Sequence, residues 1–525
     1  MKVLLLIPKE FYQSWPIHND AAKFIFRVLS AVYPLLASLY PDAEFTIFDA
    51  TIRDIDPKSY FKLINMFDVV CMNCPESVVA LNIEMNIRLI KIMNPKIKII
   101  VGGHHATFYS KEWIEKGADI VVRGEAEKTF PEILDAFNRG KGIGRIQGIT
   151  YLRDFEKTDA GSNPPKREDG KTEIVFNEER GLLDNLDLSP IPRWEKVDLQ
   201  YYDLGLGAKG LSACIETSRG CLHKCSFCSV GPMFGNVQRF KSVERTLEEF
   251  ELLHARGVRQ VHISDDNFGS NVKRDAAILE GLIKKNFGFK LGASMRADVF
   301  IDNPELIRLA VPAGLKVISV GLESLEDSDI TLFDKNYKIM RAKKIDVINH
   351  YERIYRMLNK NKITVIGLFV NGFPGQRTSS LTRKNVNRVC DLGLFSNFKP
   401  VVTMPGYAAL LKDKNIEFKN MFYNDKFIPT FRFKGKNQMR ILPSGKSMLS
   451  INKFFSHSPI VKMVLLRVYQ GAWRSVFMEF RIRKIINFII SITPFITPDK
   501  KQDRINRYYL NNKYLDNIIK SNKFQ

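Results

Sequence analysis

Three cysteines crowd into eight positions: Cys221, Cys225 and Cys228, within Glu216-Thr217-Ser218-Arg219-Gly220-Cys221-Leu222-His223-Lys224-Cys225-Ser226-Phe227-Cys228. Three thiolates on one short loop can hold three irons of a [4Fe–4S] cube, leaving the fourth iron open to a substrate or cosubstrate. Tetrahedral zinc is the rival. It needs a fourth close ligand, which His223 could offer, but zinc sites rarely use C-x₃-C-x₂-C spacing. Gly220 lets the chain turn into the loop, and Phe227 can shield a cluster from water. The remaining cysteines are Cys71, Cys74, Cys214 and Cys390. Cys71 and Cys74 form a C-x-x-C with no second pair, and read as ordinary strand and pocket residues. Seven cysteines in 525 residues are too few for a disulfide scaffold, and the odd count fits a reducing compartment.

The C-x-x-x-C-x-x-C motif, with an aromatic residue before its last cysteine, resembles the signature of the radical S-adenosylmethionine superfamily. That resemblance implies a cluster whose open iron chelates S-adenosylmethionine and, once reduced, cleaves it to a 5′-deoxyadenosyl radical. The elements that follow fit the superfamily's open (β/α)₆ barrel. Residues 242–256 read as a helix with Ser242 as N-cap and Gly257 as its stop. Strand-like runs end at Asp265-Asp266-Asn267, at Ser294-Met295-Arg296, at Glu323-Ser324 and at Asn371-Gly372-Phe373-Pro374. Such barrels bind at the carboxyl ends of their strands. By resemblance, Asp265, Asp266 and Asn267 lie where the methionine amino group is held. Ser294, Arg296 and Glu323 match positions that touch the ribose or carboxylate, and Gly372 and Pro374 belong to the segment beside the adenine.

Ahead of the barrel, short apolar runs alternate with helical spacing. The runs are Val3 to Ile7, Phe45 to Phe48, Asp68 to Met72, Ile97 to Val101 and Asp119 to Val122. They predict a doubly wound parallel sheet, with ligands beyond the strands' carboxyl ends. The exits carry Cys74-Pro75-Glu76-Ser77, Gly102-Gly103-His104-His105-Ala106-Thr107 and Arg123-Gly124-Glu125-Ala126-Glu127. No G-x-G-x-x-G accompanies them, which leaves a dinucleotide little support. The ordered set, "GG-x-H-x-T" and then "R-G-E-x-E", resembles the cobalamin-binding domain at the front of many radical SAM enzymes. Over roughly residues 1–140 it implies cobalamin contacts from Ser77, Gly102, Gly103, His104, His105, Thr107, Gly124 and Glu125. The D-x-H-x-x-G motif for a lower axial histidine is absent. The resemblance therefore implies a corrinoid held without histidine, and His105 reads as a hydrogen-bonding loop residue.

The expected organisation is a Rossmann-like cobalamin domain (1–140), a connector with a small hairpin (141–205), a partial (β/α)₆ radical SAM barrel (206–415) and a basic, mostly helical region (416–525). Lys and Arg number 79 against 57 Asp and Glu, a net charge of +22. Residues 459–525 alone hold 13 basic and 4 acidic residues. That segment reads either as an amphipathic helix on anionic lipid or as a helix packed over the barrel with a solvated basic face. No recognition module accompanies the charge, so no nucleic acid is expected. The opening MKVLLLIPKE is a buried strand rather than a signal peptide, and Ile485 to Ile496 is too short to span a bilayer. These readings place the chain in the cytoplasm, with peripheral membrane contact as an option.

Together the motifs imply a cobalamin-dependent radical SAM enzyme using a [4Fe–4S] cluster, S-adenosylmethionine and cobalamin. Its expected partners are a small-molecule substrate and a low-potential electron donor such as ferredoxin or flavodoxin. By resemblance it is a methyltransferase acting at an unactivated carbon, through a 5′-deoxyadenosyl radical and methylcobalamin. An anaerobic oxidative cyclase of the same architecture is the alternative among enzymes, and a corrinoid and iron–sulfur sensor the alternative outside them.

Overall fold

Val3, Leu4, Leu5 and Leu6 are all fully buried, as a central strand covered on both faces requires. The computed structural model describes residues 1–8, 29–52, 55–75, 77–153, 173–204, 206, 210–225, 228–296, 298–324, 347–371, 395–400, 416–418 and 431–433. In the first sheet β1 (Lys2–Ile7), β2 (Glu44–Asp49), β3 (Val69–Asn73), β4 (Lys98–Gly102) and β5 (Ile120–Val122) are parallel. The hairpin β6 (Ile149–Leu152) and β7 (Ile174–Phe176) extends that sheet antiparallel from β5. The strand order is β2-β1-β3-β4-β5-β6-β7. The strand order reverses between β1 and β3, the place where open sheets of this kind form a ligand crevice.

The hairpin expected in the connector is thus the edge of the first sheet. Its apolar residues Ile149 and Tyr151 are buried in the same core as Ile120 and Val122, which gives the pairing its reason. Helices on the two faces of the sheet include α1 (Val32–Leu36), α2 (Pro57–Ile64), α3 (Ser77–Met93), α4 (His104–Phe108), α5 (Ser110–Glu115) and α6 (Thr129–Arg139).

The second sheet begins with β8 (Leu211–Ile215), followed by a ribbon of β9 (Ser218–Gly220) and β10 (Gln238–Phe240). The helix α7 (Val230–Phe234) lies between the ribbon strands. Helix α8 (Val243–Ala255) starts where the sequence places it: the Ser242 side chain accepts from the Arg245 N–H at 3.1 Å. Strand β11 (Val258–Ile263), α9 (Val272–Lys285), β12 (Lys290–Met295), α10 (Val299–Asp302), α11 (Pro304–Ala310), β13 (Leu315–Glu323), α12 (Val347–Lys360), β14 (Thr364–Asn371) and β15 (Phe395–Pro400) follow. The order β15-β14-β13-β12-β11-β8, every pair parallel, is a six-stranded open barrel wall.

Trp194, Leu199 and Tyr202 of the connector join the core residues of both sheets in one continuous apolar cluster. In the stretch 416–525 the described residues form one antiparallel pair, β16 (Ile416–Phe418) with β17 (Phe431–Phe433). The helical expectation for the rest of that stretch lies outside the described residues. Among the described residues no helix is long and apolar enough to cross a membrane.

Candidate functional site

The cysteine loop leaves β9 through Gly220, whose φ of 83° an ordinary residue rarely adopts. A Cβ there would also run into the Val237 carbonyl oxygen of the facing chain, so only glycine closes the ribbon. Cys221, Cys225 and Cys228 are half-buried on this loop, and the Cys228 N–H donates to the Cys225 carbonyl at 3.1 Å. Burial, with Cys225, Asp266 and Cys221 nearby, pushes the Cys228 thiol up to about 12, against a weaker opposing hydrogen bond from the Val230 backbone. Deprotonating thiols gathered this way calls for a cationic centre, which an iron–sulfur cluster would supply. Among the described residues no three His, Cys, Asp or Glu side chains form a preassembled ion cage. Phe227 lies outside the described residues.

The strand exits beside the loop hold it in place. Asp265, after β11, is 2% exposed. Its Oδ1 accepts from the Thr217 N–H at 2.6 Å, and its Oδ2 accepts from the Thr217 and Ser218 hydroxyls at 2.6 and 2.7 Å. Asp266 Oδ2 accepts from the Gly220 N–H at 3.1 Å, and burial raises its carboxyl to about 6. Arg274, in the first turn of α9, donates from Nη2 to the Thr217 carbonyl at 2.8 Å and from Nε to the Lys241 carbonyl at 2.9 Å. These contacts clamp the segment that leads into the cysteines. Thr217 and Arg274 went unnoticed in the sequence; the only signal was that Thr217 lies four residues before Cys221.

The candidate S-adenosylmethionine contacts divide along the same lines. Asn267 Oδ1 accepts from the Arg296 N–H at 3.1 Å, tying the exits of β11 and β12 together. The Arg296 guanidinium grips Asp298 with two hydrogen bonds, Nε to Oδ1 at 3.1 Å and Nη2 to Oδ2 at 2.9 Å. Ser294 is half-buried on β12, and its carbonyl accepts from the Phe268 N–H. Glu323 closes β13 at a φ of 67°, an uncommon conformation for glutamate, and is 6% exposed. Strained backbone at a barrel strand's carboxyl end is what a ligand-facing position carries. Gly372 and Pro374 lie outside the described residues.

On the first sheet, Gly103 caps α4 at a φ of 96°, and a Cβ there would strike Asn73 and the Cys74 carbonyl. Gly103 is therefore needed for the β3–β4 contact itself. Gly102 has room for a side chain yet carries none, since a Cβ would meet only Val122 at 3.9 Å; Gly124 also borders open space, but its φ of 76° already calls for glycine. Such bare backbone at the exits of β4 and β5 fits the edge of a large flat ring like a corrin. The Thr107 hydroxyl donates to the Gly103 carbonyl at 3.0 Å and accepts from the Gly124 N–H at 3.0 Å, joining the two exits. The side chain of Ser77 lies outside the described residues.

The side chains of two expected corrinoid contacts, His105 and Glu125, have protein partners. His105 is fully buried, with the Tyr109 ring tilted against it and the Trp113 ring edge-on, and its Nδ1 accepts from the Trp113 indole N–H at 3.2 Å. Burial lowers its pKa to about 3, which makes it a neutral core residue near pH 7. Glu125 has both carboxylate oxygens occupied by protein donors. Oε1 accepts from Arg219 and Arg239 at 3.0 and 2.9 Å; Oε2 accepts from Arg239 and the Leu183 N–H at 2.9 and 2.6 Å. Burial alone would raise the Glu125 carboxyl, but the Arg239 and Arg219 contacts hold it below the usual range.

Those contacts bring the two sheets' exits face to face. Glu127 also pairs with Arg219, at 2.5 Å. His104 meets the Phe234 ring of α7 edge-on at 5.6 Å, and burial lowers its pKa. At the far side, Tyr202 of the connector donates to Asp49, at the end of β2, at 2.9 Å.

Residues 42–134 match the B12 binding domain, and residues 215–381 match the Radical SAM superfamily. An uncharacterized methyltransferase of Pyrococcus horikoshii is 27% identical over 387 residues, 72% of this chain and 75% of the relative. The hopanoid C-3 methylase of Methylococcus capsulatus is 28% identical over 306 residues, 55% of this chain and 53% of the relative. The anaerobic magnesium-protoporphyrin IX monomethyl ester cyclase of Synechocystis is 24% identical over 281 residues, 51% of this chain and 52% of the relative. The chain thus spans about half the length of the latter two. The fold is that of the radical S-adenosylmethionine methyltransferase TsrM from Kitasatospora setae, with a TM-score of 0.55 at 18% identity, over 76% of this chain and 72% of that one. The chain thus carries a B12 binding domain followed by a domain of the Radical SAM superfamily.

Proposed function

We propose that the protein is a cobalamin-dependent radical SAM methyltransferase acting at an unactivated carbon of a small molecule. The observation that carries this reading is the contact of the β5 exit with the cluster ribbon, Glu125 and Glu127 against Arg219. It supports a corrinoid crevice beside the cysteine loop, where one substrate can meet both cofactors. When bound, the cluster with S-adenosylmethionine supplies hydrogen-atom abstraction, and the corrinoid supplies a transferable methyl group.

The chain's own residues do the rest. Cys221, Cys225 and Cys228 hold the cluster. Asp265, Asp266 and Arg274 keep their loop from moving, and the Glu323 turn together with the Asn267–Arg296 tie shapes the S-adenosylmethionine end of the barrel. The exits of β4 and β5 present bare backbone to the corrin.

Anaerobically reconstituted protein, given dithionite and S-adenosylmethionine, should form both 5′-deoxyadenosine and S-adenosylhomocysteine. 5′-Deoxyadenosine alone would favour the oxidative cyclase, a reading that the cyclase relative supports. Neither product, with both cofactors bound, would point to a sensor. The electron donor is a low-potential carrier of the ferredoxin or flavodoxin class, and the compartment is cytoplasmic.

The basic segment 459–525 supports peripheral contact with an anionic membrane and a lipid-like substrate. Full-length protein should then float with anionic vesicles, and a chain ending near residue 455 should not. Equal flotation of both removes the membrane reading.

A further inference from the structure

We propose that Glu125 is a positioning residue that registers the cluster ribbon on the corrinoid domain, and so sets the separation of the two cofactors. Arg219 and Arg239 stand directly opposite each other across the β9–β10 ribbon. Both are largely buried, with 8% and 11% of their side chains exposed. Two guanidinium groups facing each other in a cross-strand pair repel. The Glu125 carboxylate sits between them and binds both, gripping Arg239 with two parallel hydrogen bonds.

Arg219 lies two residues before Cys221, so the ribbon that carries the cluster loop closes around a side chain supplied by the other domain. Its remaining nitrogens are also taken, Nη2 by Glu127 and Nε by Glu216, which fixes the guanidinium plane on every side. A buried charge whose partner is removed is far costlier than an exposed one. The ribbon therefore shifts relative to the corrinoid domain when Glu125 is neutralised. The inference rests on both cofactors binding, as the proposed function requires, but not on which reaction follows.

The test uses full-length Glu125→Gln, reconstituted with iron, sulfide and cobalamin, then reduced so that cobalt and cluster are both paramagnetic. Pulsed electron paramagnetic resonance reads the distance distribution between them without turnover. A loaded variant with a shifted or broadened distribution supports the proposal. S-adenosylhomocysteine formed per 5′-deoxyadenosine should fall by about a hundredfold, the scale of a 1 Å misplacement. A loaded variant with the wild-type distribution overturns it.

If Glu125→Gln does not take up its cofactors, Arg239→Lys decides, because it keeps the charge and loses the two-pronged grip. A changed distribution supports, and an unchanged one overturns. If neither variant loads, amide exchange in the full chain decides. Protection lost selectively at 218–220 and 238–240 supports the proposal, and wild-type protection there overturns it. A wild type that shows a defined distance yet forms no S-adenosylhomocysteine would sink methyl transfer and leave this inference standing.

Discussion

The Thr107 hydroxyl and the Gly124 amide, 3.0 Å apart, lock the exits of the neighbouring strands β4 and β5 to each other. Thr107→Val keeps the shape, removes the acceptor and leaves the Gly124 N–H without that partner. The expected loss is about 1 kcal/mol of stability. Cobalamin affinity should fall while iron uptake stays at the wild-type level, as equilibrium dialysis and iron analysis would reveal. Unchanged cobalamin affinity would mean that the crevice does not depend on this link.

Asp265 separates two roles. As a clamp on Thr217 and Ser218 it accepts three hydrogen bonds, of which asparagine can replace only part. Asp265→Asn should cost about 3 kcal/mol and lower cluster occupancy after reconstitution. A variant that loads a full cluster but binds S-adenosylmethionine weakly would instead make Asp265 a direct ligand contact.

Gly220→Ala forces a side chain onto a φ of 83° and into the Val237 carbonyl. The expected cost is about 3 kcal/mol from strain and overpacking together. Iron content should drop, with the first domain still able to bind cobalamin. Normal iron content would place the ribbon's closure elsewhere.

His105 gives an acid-sensitive term. Its pKa falls from 6.5 in the unfolded chain to about 3 in the folded one, because burial disfavours the charged ring. The unfolded state therefore binds more protons between those values. The stabilisation is complete above about pH 6.5 and is lost as pH falls towards 3, by at most about 1.4 kcal/mol per pH unit. Urea melts of His105→Gln against wild type should show a shallower acid slope in the variant. Parallel slopes would remove His105 as the cause.

Much of the frame was legible because it depends on local pattern. Apolar runs such as Val3 to Leu6 mark strands, Ser242 marks a helix start, and Cys221, Cys225 and Cys228 declare their chemistry by spacing. What escaped depends on distance. Glu125 meets Arg219 and Arg239 at separations of 94 and 114 residues, and no local rule pairs them. The "R-G-E-x-E" resemblance gave no sign that its first glutamate binds two arginines of the barrel ribbon. The β6–β7 hairpin has the same cause, since its place at the edge of the first sheet is settled by pairing with β5. The burial of His105 against Trp113 likewise shows only in three dimensions.

If cluster and corrinoid perform separate steps, S-adenosylhomocysteine formation must depend on the corrinoid while 5′-deoxyadenosine formation depends on the cysteines. The decisive measurement compares both products from reduced protein with and without cobalamin, and from Cys225→Ala. Corrinoid-dependent methyl transfer predicts that corrinoid-free protein still makes 5′-deoxyadenosine but no S-adenosylhomocysteine, and that Cys225→Ala makes no 5′-deoxyadenosine. Equal S-adenosylhomocysteine with and without cobalamin would contradict it.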